Sequence, residues 1–467
     1  MAVSRRAFVK GALSASGAAF LGSRLVQPGA GQRLSLASAA LTPPLPSPAA
    51  SGFDHVVLVM MENRSFDHFL GWLPNAAGRQ AGLSYADPSG KLHPTYHQKQ
   101  LNGCGFNDPD HSYPGGRIQY NGGKVNGFLL DPANDSYAVS YYTAADRPFM
   151  SQLALNFTTC DHYFCSILGP TYPNRFFQHA AQTDRLDNTT TISTVPTIWD
   201  RLNQPGGPTG RYYFSDVPFL ALWGTKYLSI AEHYTQFLAD AAAGTLPNVS
   251  FVDPRFEDEG SGTSGDDHPL ADIRAGDAFL SEIFHALSSG PLWDRTLFIV
   301  NYDEWGGFFD HVVPPRITAA VPIGASPSSG IDTDLDSAGR VLAGFRVPCI
   351  IASPLTKGNP SHPTVVHQRF DHTSVLKLVE WRWGLQPLTQ RDASRSPNDP
   401  GNLATALHFG RPNPAVPSLP ELAPFVTAGC VASLPGGTPI STAAVPAPAD
   451  RDTWNALKGV AADDGWL

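Results

Sequence analysis

The sequence predicts an α/β fold built on a mostly parallel sheet. Two segments and their endings predict it. Val56–Met61 is a continuous apolar run, too short for a typical helix and dominated by Val and Leu. Such a run reads as a strand buried on both faces, as inside a parallel sheet. Leu297–Tyr302 is a second run of the same kind, far away in the chain. Each stops abruptly in oxygen-bearing side chains: Glu62-Asn63 after the first, Asp303-Glu304 after the second. Ligands of open α/β sheets sit outside the carboxyl ends of the strands, so two such strands, if parallel neighbours, deliver their polar ends to one site. A carboxylate and an amide oxygen side by side suit a hard cation.

The composition narrows the class. With 467 residues, 42% of them hydrophobic, there is material for one large α/β domain or two modest ones. The 43 Gly and 42 Pro imply long ordered loops rather than a helical bundle. A net charge of −9 and the lack of a basic stripe argue against a nucleic-acid partner. The five Cys form no CxxC pair, which argues against a structural zinc site. They leave room for one or two disulfides with an odd thiol remaining, and their spacing does not choose the pairs.

The chain opens with Ser4-Arg5-Arg6-Ala7-Phe8-Val9-Lys10 and a mild Gly/Ala/Ser/Leu segment, the pattern of a twin-arginine export signal. Its apolar part is too short and weak for a membrane span. Residues 1–39 are therefore read as a signal peptide handed to the twin-arginine export machinery. Its destination is periplasmic, cell-wall associated or secreted. Residues 40–51 are read as a Pro/Ala/Ser linker, residues 52–410 as the catalytic domain, and residues 411–467 as a Pro/Ala-rich tail packed on it.

Residues 75–107 read as a polar, Gly-rich excursion with short hairpins, ending in Asn107-Asp108-Pro109-Asp110-His111. Phe149–Phe157 has helical spacing. Gly169-Pro170-Thr171-Tyr172-Pro173-Asn174-Arg175 is a tight turn running into a helix, with Pro173 in the first turn, where its missing N–H costs nothing. Thr171 there reads as an N-cap hydroxyl beside free N–H groups that favour phosphate. Residues 197–246 read as helix, strand (Tyr212–Phe214) and helix (Ile230–Ala243). Asn248–Asp253 is a further short strand. Asp266-Asp267-His268-Pro269 precedes a helix at Ile273–Leu287, residues 316–340 are an aperiodic excursion, Val347–Pro354 is another core strand, and Phe370-Asp371-His372-Thr373-Ser374 opens a helix capped by Asp371 or Thr373.

Together these groups form a kit for phosphate-ester hydrolysis. Oxygen ligands select a hard or borderline divalent cation. A metal beside a Thr hydroxyl makes it a usable nucleophile, and rim histidines can protonate a departing alcohol. No G-x-S-x-G elbow is present, so acyl transfer is not indicated.

His55 to His68, with its Met61-Glu62-Asn63-Arg64-Ser65-Phe66-Asp67-His68 core, resembles the opening signature of the bacterial phosphoesterase family that holds exported phospholipases C and acid phosphatases. The likeness continues through Gly169–Arg175, Asp267-His268-Pro269, Asp303-Glu304-Trp305-Gly306-Gly307-Phe308-Phe309-Asp310-His311 and Phe370–Ser374. It implies an alkaline-phosphatase-like α/β/α sandwich and one divalent metal ion held by Glu62, Asn63, Asp303 and Glu304 with Thr171. It implies that Thr171 is the nucleophile and that His111, His268 and Asp267 line the site. His311, His372 and Arg175 fall in matching motifs at a greater remove. The implied substrate is a phospholipid, cleaved to diacylglycerol and a phosphorylated head group with transient contact to a membrane surface. The alternatives are a small soluble phosphate ester or, outside enzymes, an inactive metal-stabilised binding protein.

Overall fold

The structure, a computed structural model, describes residues 44–425, 427, 429, 430 and 453–467. The signal-peptide reading and the first residues of the linker lie outside the described residues, as do residues 431–452 of the tail. Eight strands form the main sheet: β1 (His55–Met61), β2 (Thr158–Cys160), β3 (Gly210–Phe214), β4 (Ala231–His233), β5 (Val249–Val252), β6 (Thr296–Tyr302), β7 (Cys349–Ala352) and β8 (Val365–Val366). Their spatial order is β8-β2-β7-β6-β1-β5-β3-β4. Only β7 runs antiparallel to its neighbours; every other pairing is parallel. The expected mostly parallel α/β sheet is present, and the core strand at β7 is its one reversed member.

The two strands that predicted the fold are direct parallel neighbours at the sheet's centre. Their register pairs Val56 with Leu297 and Met61 with Tyr302, so Glu62 and Asp303 leave the sheet side by side. Both strands are buried along their length because helices cover both faces. Alternation splits β6 between the two layers. Asn301 donates to Gln178 on α4 (Thr171–Ala180) at 2.8 Å, whereas the Tyr302 hydroxyl meets Arg147 and Met150 at α3 (Pro148–Asn156). The short helices α1 (Phe66–Leu70) and α2 (Tyr113–Tyr120) come earlier in the chain; α3 packs with α6 (Ile273–Ser289), and α6 with α5 (Tyr234–Ala243), while α4 packs with α7 (His372–Trp383).

Several local expectations need correction. Thr171 is the first residue inside α4, and Pro170 is the N-cap. The first-turn donors are mostly spent: the Tyr172 amide bonds Asn188 Oδ1 at 2.8 Å, Pro173 has none, and Asn174 turns back to Pro170. Residues 231–233 form edge strand β4, so the helix expected from Ile230 begins only at Tyr234. The excursion 316–340 is pinned at its base by a two-stranded ladder, Arg316–Thr318 against Arg340–Leu342. The hairpin expected within 75–107 is present as Ser84–Ala86 against Leu92–Pro94. The α7 N-terminus is capped by Asp371 in a capping box with Ser374.

One disulfide, Cys104–Cys430, ties the loop after the hairpin to the tail; Cys160, Cys165 and Cys349 are buried thiols. The tail ends in α8 (Thr453–Asp463), which packs against the 3-10 stretch Phe219–Ile230. Among the described residues, no helix is long and apolar enough to cross a membrane.

Candidate active site

The site forms where β1 and β6 end. Asn63 makes the sharp exit from β1 with φ of 60°, a left-handed conformation uncommon for a side chain. Its amide donates to Asp303 Oδ1 at 3.0 Å, and the Glu304 amide donates to the same oxygen at 2.6 Å. One carboxylate therefore laces the two strand ends together. Glu62, Asn63, Thr171, Asp303 and Glu304 are all buried.

The first residue of α4 points into this junction. The Thr171 hydroxyl lies 3.0 Å from Glu62 Oε1 and 3.3 Å from Asn63 Oδ1. The Asn63 side chain is oriented from its other end. Its Nδ2 lies 3.3 Å from His111 Nε2, and His111 Nδ1 lies 2.8 Å from the Pro109 carbonyl. With Nδ1 protonated, Nε2 accepts from the amide, which turns Asn63 Oδ1 toward Thr171. His111 Nε2 also stands 4.0 Å from Glu304 Oε1.

Arg175, one turn further along α4, is the central buried cation. Its guanidinium meets Asp303 Oδ2 at 3.1 Å, Glu62 Oε2 at 3.5 Å and Asp253 Oδ1 at 3.5 Å. It also donates to the last carbonyls of β1, Met60 and Met61. Asp253, at the end of β5, thus joins the site as the third strand-end carboxylate. Its pKa is pushed up to about 6 by burial, against the pull of Arg175.

A second acidic group closes the far side. Glu62, Glu259 and Asp266 each offer an oxygen within 4.8 Å of the others, and all three are buried. Burial holds Glu62 and Glu259 well above the usual carboxylate range and pushes Asp266 up to about 6. Both Glu259 oxygens and Asp266 Oδ2 lack a hydrogen-bond donor. His268 joins this group, with Nε2 3.4 Å from Asp108 Oδ2 and 3.7 Å from Glu259 Oε2. The His111 and His268 rings are 6.4 Å apart between centroids.

These residues fit a divalent cation. The oxygens of Glu62, Asn63 and Thr171 converge, and the buried carboxylates outnumber the Arg175 charge available to them. Glu304 stands close by but turns one oxygen, Oε2, to the Gly306 amide at 2.8 Å.

Of the residues the resemblance implied, Asp267 and His311 are bonded away from the Thr171 hydroxyl and His372 supports Asp303. The Asp267 carboxylate faces away from Thr171, bonding Arg147 at 2.9 Å and the Tyr302 hydroxyl at 2.6 Å on the α3 side of the sheet. His311 pairs with Asp67 beside Arg346, which itself clamps Asp67 and Asp310. His372 braces the site from behind, with Nε2 2.7 Å from the Asp303 carbonyl and Nδ1 3.2 Å from the Tyr163 hydroxyl. Burial pulls its pKa down to about 4, so it is neutral. Glu259 and Trp454 were not singled out in the sequence. Glu259 lies in a polar loop beside Gly260–Gly265, with no strand end to mark it. Trp454 lies in the tail, where α8 brings its indole Nε1 to 3.3 Å from Glu62 Oε1.

A model of the phosphoesterase family matches residues 53–217 and 210–386. The chain belongs to the phosphoesterase family. It is a hydrolase acting on phosphoric ester bonds. Phospholipase C B of Mycobacterium tuberculosis (strain ATCC 25618 / H37Rv) is 32% identical over 457 residues, covering 81% of this chain and 84% of that protein. Non-specific phospholipase C1 of Arabidopsis thaliana is 33% identical over 375 residues, covering 72% of this chain and 68% of that one. Among solved structures, a member of the alkaline phosphatase superfamily from Vibrio parahaemolyticus aligns with TM-score 0.34 at 11% identity, covering 75% of this chain and 69% of that one. The phosphonate monoester hydrolase of Agrobacterium radiobacter aligns with TM-score 0.36 at 13% identity, covering 77% and 78%.

Proposed function

We propose that this phosphoesterase is an exported phospholipase C that uses one divalent metal ion and Thr171 to release diacylglycerol and a phosphorylated head group. The observation that carries the reading is the Thr171 hydroxyl, seated at the start of α4 and 3.0 Å from Glu62 Oε1. The relatives at 31–33% identity named phospholipase C support the substrate class. The twin-arginine pattern at Arg5-Arg6 supports export.

Thr171 Oγ attacks phosphorus in line, and its proton passes to Glu62. The 3.0 Å contact from the Thr171 hydroxyl to Glu62 Oε1 is the path for that proton. When bound, the metal lowers the pKa of the Thr171 hydroxyl and draws charge from the phosphoryl oxygens. Glu62, Asn63, Asp303 and Glu304 with Thr171 would hold it. The alcohol leaves with a proton from His268, and water then hydrolyses the phosphothreonine. Asn63, set by His111, keeps Thr171 Oγ aimed; Arg175 keeps the Glu62 and Asp303 carboxylates in place.

The test is release of phosphocholine from phosphatidylcholine vesicles and of phosphate from a soluble phosphomonoester, by the mature protein with and without chelator pretreatment. Phosphocholine release that the chelator abolishes is the expected result. Release from the monoester alone replaces the reading with an acid-phosphatase-like enzyme. Silence on both, with metal bound, makes the protein an inactive metal-stabilised scaffold. In Thr171→Ala, turnover falls by at least about a thousandfold while the protein stays folded, because the change deletes the attacking atom and little packing volume. Near-normal turnover refutes the nucleophile assignment.

A further inference from the structure

We infer that α8 is an interfacial lid: in water its apolar face closes the catalytic centre, and a lipid surface draws it off. The inference rests on the phospholipase reading for its substrate. It rests on α8 itself for the lid.

The closing contacts are specific. The Trp454 indole donates to Glu62 Oε1, the same oxygen that receives the Thr171 hydroxyl. Its ring stacks flat on Phe256, with centroids 3.8 Å apart and planes 4° apart, and meets Tyr172 edge-on at 5.3 Å. The Arg175 guanidinium lies alongside this pair, 4.5 Å from the Phe256 ring centroid and 5.5 Å from that of Trp454. Trp454 thus fills the space beside the nucleophile, which is only 1% exposed. A glycerophospholipid cannot bring its phosphorus to Thr171 while that indole is seated.

The helix has the composition of an element that trades one apolar environment for another. Trp454, Leu457 and Ala461 form one buried stripe at helical spacing, and Trp466 follows it; Asn455, Ala456, Gly459 and Ala462 face solvent. Withdrawal into water would expose that stripe, which is unfavourable. At a lipid–water interface the same stripe lies in the headgroup–acyl boundary, a level Trp favours. Lys458 is offset by Asp463 and Asp464, so the helix suits a zwitterionic rather than an anionic surface. The outer clasp is weak: Lys458 pairs with Glu257 at 2.5 Å in a contact where both side chains are more than a third exposed. Upstream, the disulfide to Cys104 fixes the chain at Cys430, so departure of the helix leaves that point tethered.

The experiment follows hydrolysis of a short-chain phosphatidylcholine below and above its micelle threshold by the full chain, Trp454→Ala and Lys458→Glu. The wild type is expected to show a break of about tenfold at the threshold, and Trp454→Ala to cleave monomers about tenfold faster with the break largely gone, the size expected for losing one buried hydrogen bond. Lys458→Glu, which touches only the outer clasp, shifts the same way by less and answers the question should Trp454→Ala fold poorly. A wild type with no break overturns the lid; so does a monomer rate that neither variant raises. Should the wild type cleave no phospholipid at all, the phospholipase reading fails separately. The lid is then decided on a soluble phosphomonoester with and without phosphatidylcholine vesicles: acceleration by vesicles sustains it, and an unchanged rate overturns it.

Discussion

Gly306 sits against the backbone of Asn63 so closely that a Cβ on residue 306 would lie 2.0 Å from the Asn63 carbonyl oxygen. Gly306 also has φ of 62°, so a side chain there is both strained and sterically excluded. The two strand-end turns interlock through this contact and through the Arg64 amide, which donates to the Glu304 carbonyl at 3.0 Å. Gly306→Ala is expected to destabilise the protein by at least about 2 kcal/mol and to abolish activity, because the turn that carries Glu62 and Asn63 must move. Urea unfolding of the variant checks the first effect; a loss under about 0.5 kcal/mol would show that the turns tolerate separation.

Asn63 separates backbone strain from chemistry. Its φ of 60° suits Gly better than Asn, while its side chain links His111 to Thr171. Asn63→Gly is expected to stay within about 1 kcal/mol of the wild type in stability, the relief at positive φ offsetting lost hydrogen bonds. Activity is expected to fall at least about a hundredfold, because Oδ1 no longer aims the hydroxyl. Parallel unfolding and rate measurements distinguish this from a global defect.

Asp303 is both a lacing group and a candidate ligand. Asp303→Ala removes the acceptor of two backbone amides and of Arg175. Breaking a buried charge pair on one side costs about 3–5 kcal/mol, so a clear fall in Tm is expected. Metal content by elemental analysis is expected to fall with activity; full metal retention would remove Asp303 from the ligand set.

His179 makes the fold acid-sensitive. It lies on α4 among Trp199, Phe219 and Phe251, and burial, helped by the Arg175 charge, pulls its pKa down to about 3. A depressed histidine binds fewer protons folded than unfolded. Its contribution is therefore complete above the ordinary pKa of about 6.5 and is lost as pH falls from there toward 3. Between pH 6.5 and 4 the loss amounts to about 3 kcal/mol. His179→Phe is expected to flatten the stability–pH curve in that window by about this amount. An unchanged slope in urea unfolding between pH 4 and 6.5 would assign the acid sensitivity to other groups.

Much of the site was legible in order along the chain. Glu62, Asn63, Asp303 and Glu304 could be placed at strand ends because buried parallel strands are apolar throughout and stop where the polar residues begin. Thr171 was legible because Pro173 and the Gly-Pro turn mark a helix start. Which way a side chain points was not. Asp267 and His268 are adjacent, yet the backbone at Asp267, with φ of 77°, sends the carboxylate to Arg147 and Tyr302 while His268 turns to Asp108 and Glu259.

Local patterning alone determined the α/β class and placed oxygen-bearing side chains at two strand ends, because burial on both faces and helix-start chemistry are written in consecutive residues; the phosphoesterase family was legible in whole motifs that resemble its signatures. The β1–β6 register that sets Glu62 beside Asp303, the approach of Glu259 to Glu62 and the seating of Trp454 on the same carboxylate were decided only by tertiary structure. Each of these joins residues far apart in sequence. Nothing in either local segment encodes a contact that forms only when sheet, loop and tail pack together.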